Sequence, residues 1–395
     1  MSHLHNGMAS VNGQFLVPRD YLRPSSVVLR DAVRHPRRVQ YAVPAQYRAA
    51  ACALTHPDTT LTGFGALALY GLPYLADAHD VVLVSPTLSV KRWGRSFTPT
   101  LMRKQLKPHE VWKVVCRNDL INIATPPVAV AQALQLIRTQ RCSWPVHATG
   151  DEETRVRAVQ LVDACRRFLG IAPEQITVAG RGRVNNRWLA DVVRASSALA
   201  DSPKETEMRL LAVPVARKFG LKLEEQFEFW ADGQLISRAD LAFPEAKVAL
   251  YYDGGHHDEK GTRVRDTRID LYLTSIAWRP LRYGTNMLGG LPHHLEVVLR
   301  ERGFAKVDTK RPSADLGVSA AVSGELSTFT NRCLSTPLTP PSGGTPRRRR
   351  RRTRRWTRRG AATRGWSRPT RGLLRQRNRT PARRETSTRE RRRRR

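Results

Sequence analysis

The stretch ADLAFPEAKVALYYDGGHH, residues 239–257, decides how this chain is read. Asp240 stands between Ala239 and Leu241, with Phe243 close behind. A carboxylate among such neighbours is costly to bury unless it pairs or binds a cation. Residues 247–252 form an apolar run suited to a buried central strand, and Asp253-Gly254 closes it. Adjacent strands lie about 4.8 Å apart, so carboxylates at neighbouring strand ends can share one hard cation, Mg²⁺ or Mn²⁺. Such a cation orients water and stabilises charge building on a phosphodiester. Asp240 and Asp253 are therefore the candidate metal ligands. His256 and His257 follow at once and suit a general base or a phosphate contact.

Working outward, the elements alternate in a definite order. A helix over Pro203–Phe219 has Met208, Leu211, Val215 and Phe219 on one face. A strand over 223–230, the turn Ala231-Asp232-Gly233 and a strand over Gln234–Phe243 make a hairpin. The central strand follows, then a helix over 260–276 carrying Arg263, Arg265 and Arg268, which suit phosphate oxygens. A strand over 278–283 and a helix over 292–302 complete the order α-β-β-β-α-β-α.

The runs SPKETEMRLL (202–211), ADLAFPEAKVALYYDGGHH, RVRDTRIDLYL (263–273) and WRPLR (278–282) resemble a bacterial domain family. That family is related to very-short-patch mismatch-repair endonucleases and the wider PD-(D/E)XK class. The resemblance implies a restriction-endonuclease-like core over 202–302 and a Mg²⁺-dependent hydrolase cutting DNA phosphodiester bonds. It makes Asp240 the first metal ligand, Glu205 the helix acid that joins it and His257 the histidine after the Asp-Gly turn. Asp266, Arg268 and Trp278 match the helix-strand signature that follows. Where the family reads Glu-Tyr-Asp-Gly, this chain reads Tyr251-Tyr252-Asp253-Gly254. Tyrosine, with a free pKa near 10, is a poor Mg²⁺ ligand. The mismatch-repair relatives also depart from the usual acid pair and lean on histidines. A site degenerate at Tyr251 leaves a second expectation, a non-catalytic DNA-binding regulator that keeps the nuclease fold.

The region from Thr55 to about Ala200 resembles, more distantly, AbiEi-type antitoxins of actinobacterial proteins. The residues that carry this are LTGFGALALYGLPY (61–74) and the helix after Thr125, with Thr125 as N-cap and prolines in its first turn. The likeness implies a toxin protein as partner. Region 61–201 reads as mixed α/β. Its elements include a helix at 65–72, a strand at 80–85, strands at 111–116 and 120–124, and helices at 152–168 and 185–199. Residues 1–60 are a basic N-terminal region with room only for a reduced DNA-binding element. Arg30, Arg34, Arg37 and Arg38 cluster around the end of a helix over 26–35 and suit phosphate contact.

Simpler readings exist beside these. Ser202-Pro203-Lys204-Glu205 is also a capping box. Asp266, Arg268 and Asp270 also make ordinary surface pairs along a helix.

Charge is unevenly spread. The 395 residues carry a net +34, of which +22 lies in residues 347–395, with 24 arginines, two glutamates and no lysine. Residues 1–201 hold 25 basic and 14 acidic residues, whereas 202–302 hold 15 of each. A grip on DNA is thus expected outside the nuclease-like domain. Residues 303–346 read as a linker and the arginine tail as disordered, with salt-dependent affinity for nucleic acid. Its composition also fits a frameshifted or read-through extension in GC-rich DNA. No apolar run is long enough for a membrane span, no leader pattern is visible, and the cytoplasm is the expected compartment. Five scattered cysteines without a CxxC pair support neither a disulfide framework nor a cysteine zinc site.

Overall fold

Thr60–Thr62 enters a mixed sheet directly ahead of a helix whose residues 63–68 are all buried. The computed structural model describes residues 7–89, 91–139, 144–254 and 260–307, together with Arg375–Gln376. His256, His257, the linker and nearly all of the arginine tail lie outside the described residues.

The chain opens with a small hairpin, β1 (Met8–Ser10) and β2 (Phe15–Pro18), with which Arg375 and Gln376 also pair. Helices α1 (Ser25–Arg34) and α2 (Ala45–Thr55) follow. Next come β3 (Thr60–Thr62), α3 (Gly63–Leu69), β4 (Val82–Ser85), β5 (Thr100–Arg103), β6 (Val111–Cys116) and β7 (Asp119–Ala124). These strands form a five-stranded mixed sheet in the order β5-β4-β3-β7-β6. Four helices follow, α4 (Pro126–Arg138), α5 (Glu153–Leu169), α6 (Pro173–Gly180) and α7 (Asn186–Ala195), with α4 against the sheet and the others packed on α4 and on one another. One core joins Ala49, Phe64, Leu83, Ile123, Leu134 and Val159. Helix α2 sits inside that core, with Ala49 and Ala51 fully buried, so it is not presented to a partner.

The remaining elements are α8 (Pro203–Phe219), β8 (Glu224–Ala231), β9 (Gln234–Phe243), β10 (Val248–Asp253), α9 (Lys260–Ser275), β11 (Arg279–Gly284) and α10 (Leu291–Glu301). Their order is the one read from the sequence. The sheet runs β11-β10-β9-β8, with β8, β9 and β10 antiparallel and β10 parallel to β11. Asp232 and Gly233 both take left-handed backbone, as a two-residue hairpin turn requires. Helix α8 serves two cores. Leu210 faces the first, while Met208 and Leu211 pack with Leu241, Val248 and Leu250 in the second.

Several expectations need correction. Strand β4 begins at Val82 rather than residue 80, and α7 ends at Ala195, short of 199. The four added positions, 196–199, are not helical, and the helix stops where Ser196 turns extended. Thr125 is the N-cap of α4, but its side chain makes no cap hydrogen bond. Pro127 at N2 lacks one of the two N–H groups such a cap can satisfy, and the other, that of Val128, is not bonded by Thr125 either. Helices α2 and α6 went unread because alanine-rich and short segments show weak periodicity. Cys52, Cys116 and Cys165 are free thiols. Among the described residues, no helix is long and apolar enough to cross a membrane.

The first core contains one acid-sensitive group. His79 is buried, with its ring 4.2 Å from Phe64 and 5.6 Å from Trp144 between centroids. Its Nε2 has no partner among the described residues. Burial depresses its pKa to about 3, with His35, Arg48 and Arg23 adding to the effect and Asp80 opposing it. The unfolded chain takes this proton below about 6.5 and the folded one does not. His79 therefore lets stability fall as pH drops from about 6.5 toward 3, by about 2 kcal/mol between pH 7 and pH 5. Urea unfolding at both pH values checks this, with His79→Phe expected to lose about 2 kcal/mol less. Equal acid losses in the two proteins would remove His79 as the cause.

Candidate active site and nucleic-acid contacts

The backbone ladder between β9 and β10 runs through Val248–Phe243, Ala249–Ala242 and Leu250–Leu241, and then stops. One step further the Asp240 carboxylate replaces a backbone acceptor, taking the Tyr252 N–H at 2.6 Å. On the other side of Asp240, Gln226 of β8 holds a left-handed backbone, φ 53°, which a residue with a Cβ adopts only when its surroundings enforce it. Asp240 thus marks the point where the sheet opens.

Glu205 reaches the same place from the first turn of α8. Its Oε2 accepts the Asp201 N–H at 2.8 Å and the Gln226 side-chain amide at 3.1 Å. Only half of the expected capping box forms. Ser202 Oγ accepts the Glu205 N–H at 3.3 Å, but the Glu205 carboxylate bonds the N–H of Asp201 instead of Ser202. Burial raises the Glu205 pKa to about 7, and the Asp240 charge adds to it. Burial likewise raises Asp240 to about 6, with Asp201 and Asp253 adding and the Tyr252 N–H and Arg238 opposing. Neither Asp240 nor Glu205 has an ion-pair partner among the described residues.

Asp253 is different. Arg282 of β11 donates to it at 3.3 Å, to Asp270 at 3.1 Å, and lies 3.6 Å from Asp266. Burial works against the Arg282 charge, but Asp270, Asp266 and Asp253 outweigh it and hold its pKa above the usual range. The expectation that Asp266 and Asp270 pair along α9 is corrected, since both turn to Arg282 across the sheet. The same guanidinium lies 4.8 Å from the centroid of Tyr251, whose hydroxyl is 3.0 Å from Ser237 Oγ. Tyr251 is thus a buried, hydrogen-bonded tyrosine capped by arginine.

This geometry bears on the metal. Of the expected Asp240–Asp253 pair, Asp253 is in contact with Arg282, which it shares with Asp270 and Asp266. Asp240 and Glu205 are two carboxylates without an ion-pair partner among the described residues, and could hold a hard divalent cation. Among the described residues no group of three His, Cys, Asp or Glu side chains assembles to hold a metal. His257 lies outside the described residues, as does the side chain of Arg263. Arg265 and Arg268 are exposed on α9.

At the other end of the chain, Arg30, Arg34 and Arg38 are exposed, whereas Arg37 is turned inward. It pairs with Asp80, donates to the Gly94 carbonyl and lies 5.2 Å over the Trp93 ring. Sequence reasoning missed Asp201, Gln226 and Arg282. Only Arg282 carried a signal, as the last residue of WRPLR. No family model, curated protein or solved structure matches the chain.

Proposed function

We propose that residues 202–302 are a restriction-endonuclease-like domain and that the protein is a Mg²⁺-dependent DNA endonuclease. The observation that carries this is the unpaired Asp240–Glu205 carboxylate pair where β9 and β10 part. Asp240 and Glu205 would hold the cation, which when bound supplies an activated water and charge for a phosphodiester. Glu205, with its pKa near neutrality, can take or give a proton beside it. Arg265 and Arg268 offer phosphate contacts from α9, and His257 is the remaining candidate for proton transfer.

The test is plasmid nicking with Mg²⁺ or Mn²⁺, with Asp240→Asn as control. Cleavage that survives Asp240→Asn would overturn the mechanism.

Tyr251 favours a second reading, a DNA-binding, antitoxin-like regulator with a toxin partner that keeps the fold without cutting. Under it, wild type shifts DNA on a gel without cleaving it. Tyr251→Glu then puts a carboxylate where the tyrosine stands and is expected to give Mg²⁺-dependent nicking that wild type lacks. No change in nicking would remove the decayed-site explanation.

A further inference from the structure

From Val81 to His109 the chain has six lysines and arginines and no acidic residue. Part of this stretch is the connection between β4 and β5, which carries Lys91, Arg92, Trp93, Arg95 and Phe97. It is a built hairpin. Arg92 and Leu101 exchange both backbone hydrogen bonds, at 3.0 and 2.8 Å, and Arg95 exchanges both with Thr98. Gly94 packs so tightly inside it that a Cβ would lie 2.6 Å from the Thr98 carbonyl oxygen. The Gly94 N–H donates to Thr100 Oγ1 at 2.8 Å, and that hydroxyl donates to Asp80 at 2.5 Å.

Asp80 also binds the chain that follows α1. It accepts from Tyr41 at 2.6 Å, lies 3.0 Å from His35 Nε2 and pairs with Arg37. The hairpin and the end of α1 are therefore fixed to one another through a single carboxylate and Arg37. Arg34 and Arg38, at and just after the end of α1, and Arg92 and Arg95 of the hairpin are all exposed. The same hairpin exposes two large rings, Trp93 at 50% and Phe97 at 55%. Lys91 Nζ lies 3.5 Å over the Trp93 ring centroid and the Arg37 guanidinium 5.2 Å from it, so cations already stack on this half-exposed ring.

We propose that this surface binds single-stranded DNA, with phosphates on the arginines and unpaired bases stacked on Trp93 and Phe97. Cations alone would serve a duplex backbone equally well. Exposed rings interleaved with them suit bases whose faces are free. The proposal shares with the nuclease reading only its ligand, DNA. It also places the grip outside the charge-neutral 202–302 region.

The test is fluorescence anisotropy of a labelled oligothymidylate and of a blunt duplex, using the full chain. The arginine tail contributes alike to wild type and variants, so their difference reads the surface. Trp93→Ala/Phe97→Ala is expected to weaken oligothymidylate binding about fivefold or more while leaving duplex binding unchanged. Trp93→Phe/Phe97→Tyr, which keeps the rings, is expected to stay near wild type. Arg92→Ala/Arg95→Ala should lower the salt slope by about 1.4 if each arginine meets one phosphate. Unchanged oligothymidylate binding by the ring-less variant overturns the proposal, and so does an equal loss on duplex. If wild type does not nick plasmid but the ring-less variant still loses single-strand affinity, the surface stands and only the nuclease reading falls.

Discussion

Arg209→Met is expected to destabilise the protein by about 3–5 kcal/mol, the range for breaking a buried ion pair from one side. Arg209 of α8 donates to Asp163 of α5 at 2.6 Å and to the Ala195 carbonyl at 2.6 Å, and its Nε lies 3.3 Å from Glu225. Asp163 is almost fully buried and also accepts from Thr206 Oγ1 and the Ser197 N–H. Burial raises its pKa, and Arg209 is the largest influence opposing that rise. Without the guanidinium, the carboxylate must lose its charge or its burial. Asp163→Asn/Arg209→Met removes both charges and is expected to recover a good part of the loss. Urea midpoints of the three proteins measure this, and a loss below about 1 kcal/mol in the single variant would contradict it. The pair also fastens α8, which carries Glu205, to the helices of the first core.

Asp240→Asn is expected to act in opposite directions on activity and stability. Losing a metal-holding carboxylate removes several kcal/mol of charge stabilisation, so nicking should fall at least about a thousandfold. The folded protein, however, holds Asp240 with a pKa raised to about 6. A carboxyl whose folded pKa exceeds its unfolded value, near 3.9, stabilises fully below that value and loses the contribution as pH rises through 6. At pH 8 the ionised group therefore costs about 2–3 kcal/mol. Asparagine keeps an oxygen for the Tyr252 N–H and carries no charge. The metal-free variant should be about 2 kcal/mol more stable than wild type at pH 8 and close to it at pH 4. A variant less stable at pH 8 would show that the carboxylate is held by a favourable interaction.

The second half of the chain was largely legible. Its element order followed from period and turn chemistry, both local properties. The Asp232-Gly233 turn needs left-handed backbone, Gly220 caps α8 with φ 64°, and an apolar run makes β10 a central strand. The first half was less legible. Helix α2 is rich in alanine, and β3 and β5 are short, so their identity rests on neighbours far away in sequence.

The candidate site divides along the same line. That Asp240 would be unusual could be read from its apolar neighbours, since burying a carboxylate is costly in any fold. Which acid stands with it could not. Asp253 was the natural choice by strand adjacency, but Arg282, 29 positions on, lies parallel to β10 and takes that carboxylate. Glu205, 35 residues before Asp240, arrives because α8 is clamped by Asp163 and Arg209. In the same way Arg37 reads as one of four phosphate-binding arginines until Asp80 draws it inward and leaves Trp93 and Phe97 outside. Residue type and local pattern set which groups are costly to bury and where the chain turns. Long-range packing alone decides which charge meets which, because Coulomb and hydrogen-bond energies depend on distances that only the folded chain defines.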